Sequence, residues 1–537
     1  MTARHGSESF FIEGEGLINT QMGGRSDHEP DPITDPQAPA ARAPAADEDP
    51  PFRFIRVGPR GRRLGDALIA KLADAMISGR TRAGKVPAGY TYFGQFVDHD
   101  LTMDVTDVSL GTDITPGEML QARSPSLDLD SLYGAGPADS ESAKFYDDDG
   151  LHLKTGTSIR IGPDRAKVAH DLPRAGTGSR RARRKALIPD PRNDENLIVA
   201  QTHLAMIRFH NRVVDRLPAS VPEAQKFRRA RKSVTLHYQW LIRHDYLPRV
   251  VQKNTLDEVF TNGRKLVEPT ALPSDVPRMP VEFSVAAFRL GHPMVRPAYD
   301  WNRRFAGDFG FLEYMFQFSA VGGDLGGEDR LLSNWLADWR RMYDFPAGGR
   351  PALASPNDVN LALRIDSTLT DPLKNLPPGT FGGGPRIPFD DPRRSLAFRN
   401  LTRGGMLKLA SGQQMVERLN ALGVRMAPLT RSEILNGRGG ARLDSLTSAE
   451  KDTIATRTPL WFYILREAET GDGRLRRVGA RIVAETIHRA MQGSRFSIVR
   501  DPDFRPRHGR DDTTFEMTDL LFFAFAGRSG INPLGGR

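Results

Sequence analysis

Through residues 197–217 the apolar positions recur at helical spacing. Leu197, Ala200, His203, Leu204 and Ile207 share one face while Arg and Asn side chains occupy the others, which predicts an amphipathic helix. Residues 227–246 repeat the pattern and are expected to stop at Leu247-Pro248, where proline disfavours a continuing helix. Further helices are predicted at 311–321, 331–342, 412–422 and 479–491. Strand-like alternation is scarce, no internal repeat is evident, and long Gly/Pro-rich connections such as 375–392 separate the helices. The pattern predicts a mainly α fold, one large helical domain over 52–537 with long loops and little β. Residues 1–51 are polar and crowded with Pro and Ala towards their end, without either period, and read as a disordered arm.

Composition narrows the picture. A chain of 537 residues, 39% of them hydrophobic, can bury a large core. No run approaches the ~18 consecutive apolar residues of a membrane span. The first residues lack the apolar core of a secretory signal, so a cytoplasmic protein, or one exported by a non-classical route, is expected. Cysteine is absent, which suits a reducing compartment and also oxidative chemistry that would attack thiols. The net charge of +9 concentrates in Arg180, Arg181, Arg183, Arg184 and Lys185. Without a nucleic-acid motif or interleaved aromatics that cluster reads as a solvated basic loop, and no nucleic-acid partner is expected.

Five segments carry candidate chemistry. In 92–102, Gln95 and His99 lie one helical turn apart, with Asp98 and Asp100 roughly 100° to either side. Their aromatic neighbours argue for burial, and three buried polar directions each need a partner. The plainer alternative is a surface helix whose polar groups meet water. In 190–196 Asn193 or Asp194 can cap the following helix and Glu195 suits its positive end. Arg192 opposes that dipole and needs an anion or water. In 288–292, Arg289 and His292 are three apart; an imidazole there could ligate a metal beside a guanidinium that holds an acid. A hydrogen-bonded core histidine is the competing reading, and Pro293 disfavours an undistorted helix. Oxygen side chains alternate at Ser124, Ser126, Asp128 and Asp130, as in a loop wrapping a hard cation, although the order is not that of an EF-hand and a polar loop would look similar. Asn400 sits amid apolar residues, where it could accept a hydrogen bond from a ring nitrogen.

Taken in order, these pieces resemble an animal-type haem peroxidase of the peroxidase–cyclooxygenase superfamily, over roughly residues 80 to 530. Arg208 to Arg212 and Arg243 to Pro248 are also similar to family sequence. The resemblance implies that His99 is the distal histidine, Gln95 the distal glutamine, Arg192 the catalytic arginine and His292 the proximal iron ligand. It further implies that Arg289 pairs with a haem propionate and Asn400 hydrogen-bonds the proximal imidazole. Asp100, Ser124, Ser126, Asp128 and Asp130 correspond to the calcium site. Asp98 and Glu195 correspond to the carboxylates that form ester bonds to haem in many vertebrate members. The cofactors so implied are haem b, open to ester linkage, and calcium; the partners are hydrogen peroxide and small electron donors.

Departures limit what is carried over. Asn196 stands where some vertebrate members have a sulfonium-linked methionine, which excludes that bond, and Arg289 stands where cyclooxygenases carry their radical tyrosine. The missing cysteines and signal sequence point to a bacterial-type member. The expected activity is reduction of hydrogen peroxide with oxidation of halide, pseudohalide or small organic donors. Its rivals are a fatty-acid dioxygenase or lipid peroxidase of the same superfamily, and a haem-binding scaffold without turnover.

Overall fold

A computed structural model describes residues 52–77, 82–106, 108–161, 170–375, 388 and 391–535. The expected N-terminal arm, and most of the 375–392 connection, lie outside the described residues. The architecture is mainly α, as the periodicity predicts. Extended structure is confined to short pairings: β1 (Phe54–Ile55) runs parallel to β3 (Met279–Pro280), while β2 (Ala83–Pro87) with β6 (Leu361–Leu363) and β4 (Ala298–Tyr299) with β5 (Gly310–Phe311) are antiparallel.

Eight helices frame the site: α1 (Asp66–Met76), α2 (Gly89–Leu101), α3 (Leu197–Asp215), α4 (Glu223–Leu241), α5 (Leu396–Met406), α6 (Leu460–Thr470), α7 (Arg477–Gly493) and α8 (Met517–Ala524). Helix α2 is central. All of its residues are buried except the half-buried Gln95 and Asp98, so its aromatic side chains meet neighbours on every side. Phe93 and Phe96 pack edge-to-face on Tyr238 of α4, and Phe96 also meets His203 of α3. Gly94 permits this approach: a Cβ there would lie 2.3 Å from the Tyr246 hydroxyl. Helix α5 packs on α1, and α8 on α3.

The 197–217 helix is observed as α3 and the 479–491 helix lies within α7, while 412–422 forms a helix over Gly412–Ala421. Three expectations are corrected. The helix after Phe227 does not stop at Leu247-Pro248. Helix α4 begins earlier and passes through one widened turn (Ile242–Tyr246) into Leu247–Val250, so the proline enters a new first turn, where its missing N–H costs little. The 331–342 helix resolves into two short 3₁₀ turns, Ser333–Trp335 and Trp339–Arg341. The indole of Trp301 and the amide of Asn302 take the carbonyls of Trp335, Asn334 and Leu336, which a continuous helix would need. The 311–321 helix shortens to Leu312–Gln317.

The basic cluster is not simply solvated. Arg180–Arg184 is a short helix whose Arg183 pairs with Asp329 at 3.0 Å, while Arg184 donates to the Glu328 carbonyl at 2.7 Å. No helix among the described residues is long and apolar enough to cross a membrane.

Candidate active site

The last two turns of α2 and the turn before α3 bring the first polar set together. His99 is fully buried, and its Nδ1 lies 2.8 Å from Oδ1 of Asn193. An amide oxygen only accepts, so Nδ1 carries the proton and Nε2 keeps its lone pair. Nε2 faces Oε1 of Glu195 at 3.7 Å. Glu195, also fully buried, accepts from Nε2 of Gln95, whose Oε1 in turn accepts from Asn196 at 3.1 Å. Asn196, rather than Asn193 or Asp194, caps α3, through a bond from the Val199 N–H. This frees Asn193 for His99. Asp98 accepts from the Thr102 hydroxyl at 3.3 Å, and its charge acts on Arg192.

Arg192 finds its anion two residues earlier. Its Nε and Nη2 donate to the two oxygens of Asp190 at 2.9 and 2.7 Å, and Nη2 also reaches the His99 carbonyl at 2.9 Å. Arg123 holds the far side of the same carboxylate at 2.6 Å. Burial opposes the charge of Asp190, but Arg192 and Arg123 outweigh it and hold the carboxyl well below its usual range. The guanidinium of Arg192 is thereby fixed against the backbone of His99.

The second polar set lies on a 3₁₀ turn, Ala287–Met294, broken at Arg289. Three-residue pitch stacks Arg289 over His292. Both meet Asn400 on α5: Nη1 of Arg289 donates to its Oδ1 at 3.2 Å, and its Nδ2 stands 2.6 Å from Nδ1 of His292. The amide is thus turned the opposite way from the expected acceptor, because Arg289 has claimed the oxygen. Trp461 of α6 stands edge-on to His292 with ring centroids 6.0 Å apart, and its indole N–H donates to the Arg289 carbonyl. Beside Asn400 and Trp461 opens a cavity of about 310 Å³, walled partly by Leu64, Ile69, Leu401 and Leu409.

The 124–130 loop meets α2 through Asp100, whose carboxylate accepts from the N–H groups of Leu129 and Ser131, both at 3.2 Å, and from the Ser131 hydroxyl at 2.9 Å. Asp128 accepts from the Arg495 N–H at 2.8 Å, Asp130 pairs with Arg231 at 3.2 Å, and the Ser126 hydroxyl reaches the Gly493 carbonyl at 3.4 Å. Ser124 is half-buried. Burial and the neighbouring Asp130 push Asp100 up to about 7 and Asp128 up to about 6. Among the described residues no three His, Asp or Glu side chains converge as chelators.

Asp190, Arg123 and Asn193 escape a search for reactive residues, since each acts by holding another. Asp190 had a local signal, because Asp-x-Arg is short enough to close on itself. Arg123 and Asn193 had none.

Comparisons agree with this picture. Residues 104–310 match the animal haem peroxidase family model. A peroxidase-like protein of Margaritifera margaritifera is 27% identical over 226 residues, 40% of this chain and 26% of that protein, so the match spans about a quarter of the relative's length. Peroxidase A from Dictyostelium discoideum has a similar fold: TM-score 0.54 at 15% identity, covering 90% of this chain and 94% of that one. A fatty acid alpha-dioxygenase from Oryza sativa aligns with TM-score 0.51 at 12% identity, over 87% of this chain and 79% of that one. The two solved structures share the mainly helical fold of this chain. The likeness in sequence is thus to an animal haem peroxidase domain over residues 104–310, and haem is the cofactor that this family's name implies.

Proposed function

We propose that the protein is a haem peroxidase that reduces hydrogen peroxide while oxidising halide, pseudohalide or small organic donors. The observation that carries this reading is the distal set: a buried imidazole whose Nδ1 is held by Asn193, beside a guanidinium fixed by Asp190 and by the His99 carbonyl.

The residues fit the cofactor that the family implies. His292 offers a buried imidazole that would hold the haem iron, with the Asn400 amide beside its Nδ1. Ligation through Nε2 leaves the proton on Nδ1, so Asn400 must then present Oδ1 to the ring and release it from Arg289. Arg289, so released, is the propionate partner, and Asp98 and Glu195 are the carboxylates open to ester linkage. Bound there, haem would supply a redox-active iron for the reaction with peroxide. The chain's own part is proton management. Nε2 of His99 takes the proton from one peroxide oxygen and delivers it to the other. Arg192 stabilises the charge that grows on the departing oxygen. Gln95 orders water or a halide beside the base. Calcium is proposed at Asp100, Ser124, Ser126, Asp128 and Asp130; the support is the buried Asp100 carboxylate and the half-buried Asp128, both close enough to the half-buried Asp130 to be repelled by it, oxygen donors suited to a hard cation.

Rapid mixing of purified, haem-loaded protein with hydrogen peroxide tests the reading. Spectral oxidation followed by turnover of added donors is expected; a spectrum unmoved by peroxide would end it. His292→Ala should weaken haem retention, read by titration of the haem absorption band.

Oxygenation of unsaturated fatty acids is a second reading, favoured by the cavity beside Asn400, whose wall combines apolar residues such as Leu64, Ile69 and Leu401 with Arg60 and Arg62. Product analysis after incubation with such acids separates the two.

A further inference from the structure

Behind the distal base lies an imidazole that the mechanism above does not use. His203 of α3 is fully buried and packs edge-to-face on Phe96, one turn before His99 on α2, with ring centroids 5.6 Å apart. Neither of its ring nitrogens has a hydrogen-bond partner among the described residues. A neutral imidazole carries one donor and one acceptor, and burying both unmade is unfavourable. Burial pushes this ring down to about 3, with Asp190 and His99 close enough to act on it, so it is neutral at working pH.

Asn193 shows the complementary deficit. Its Oδ1 holds Nδ1 of His99, while its fully buried Nδ2 has no partner among the described residues. Asn193 lies in the turn Pro191–Asp194 that precedes α3, the helix that carries His203. An amide N–H and an imidazole lone pair, both buried and both lacking a partner among the described residues, are complementary groups of the kind that a buried water satisfies.

We propose that His203 and Nδ2 of Asn193 share an ordered buried water, and that His203 is thereby a positioning residue for His99. The water accepts from Nδ2–H and donates to the unprotonated nitrogen of His203. This fixes which end of the Asn193 amide faces the distal ring. Turned end for end, the amide would offer N–H groups to Nδ1 of His99 and drive the ring proton to Nε2, abolishing the base. The consequence for catalysis rests on reading His99 as that base; the water and the tautomer do not.

Two measurements on the full-length, haem-loaded protein decide the matter. In an experimental map that resolves solvent, a water within hydrogen-bond distance of both a His203 nitrogen and Nδ2 of Asn193 is expected; solvent at neither nitrogen overturns the proposal. Histidine labelled with ¹⁵N, in the diamagnetic ferrous carbon-monoxide form, reports the His99 tautomer. The expected signal is protonated Nδ1 in the native protein, a shift towards protonated Nε2 in His203→Phe, and recovery in His203→Gln, which restores a polar partner for the water. In an Asn193→Asp background both oxygens only accept, so adding His203→Phe should leave the tautomer unmoved. An unshifted tautomer in His203→Phe, or an equal shift in the Asp background, refutes the positioning role. If His203→Phe does not fold, the solvent map of the native protein decides alone.

Discussion

Asp-Pro-Arg occurs at residues 190–192 and again at 391–393, and the two copies fold alike. In each, the aspartate accepts from the arginine N–H, at 3.1 and 2.9 Å, and receives the guanidinium as a fork, with Nε at 2.9 Å and Nη2 at 2.7 Å in both. Asp338-Trp339-Arg340 closes the same way without the proline. Their surroundings differ. The side chains of Arg192 and Asp190 are 8% and 0% exposed, against 51% and 17% for Arg393 and Asp391. Only the buried copy gains Arg123 on its carboxylate and the His99 carbonyl on its guanidinium. The tripeptide therefore builds a rigid fork wherever it occurs, and burial beside an imidazole turns one fork into a candidate catalytic group.

Substitutions can break this contrast. The largest effect is expected from Asp190→Ala, which strands two buried guanidinium groups and should lower stability by about 3–5 kcal/mol. Asp391→Ala should cost at most about 1 kcal/mol, as for an exposed pair. Urea unfolding of both variants measures the difference, and equal losses would dissolve it. Next, Arg192→Ala should slow the reaction with peroxide by about 10²-fold or more while haem stays bound. Arg393→Ala should leave that rate unchanged in the same stopped-flow experiment.

Acidity sharpens the comparison further. The folded carboxyl of Asp190 titrates below an unfolded aspartate, so its stabilisation is complete above about pH 4 and fades as the pH falls below that value. The deficit of Asp190→Asn against the native chain should therefore stay constant from neutrality to about pH 4 and narrow below it. Asp391 is also shifted down, chiefly by its bond to Arg393, and its variant should follow the same direction with a smaller amplitude. Calcium removal is expected to have the mildest effect on the fork. Chelation should lower the melting temperature through the 124–130 loop, and a thermal midpoint indifferent to chelator and added calcium would remove that proposal.

Much of the architecture was legible in the pattern of side chains. Helical periodicity announced α3 and α7 because apolar side chains recur there at helical spacing, a local property, although the fold buries both helices on nearly every side. It misled at 331–342, where Trp301 and Asn302, distant in sequence, take the carbonyls a helix would use. His99, Arg192, His292 and Asn400 stood out as reactive types in a familiar order. Their partners did not, since a residue that only positions another carries no chemical mark of its own.

By itself, then, the order of residues determined the helices, the Asp-x-Arg forks and the identity of the two imidazoles, because each depends on neighbours a few positions away. Only the tertiary structure decided which fork is buried, that Arg123 closes it from behind, and which amide end faces each ring. Those choices arise from groups separated by tens to hundreds of residues, and their energetics depend on exclusion of water, which no local stretch of chain specifies.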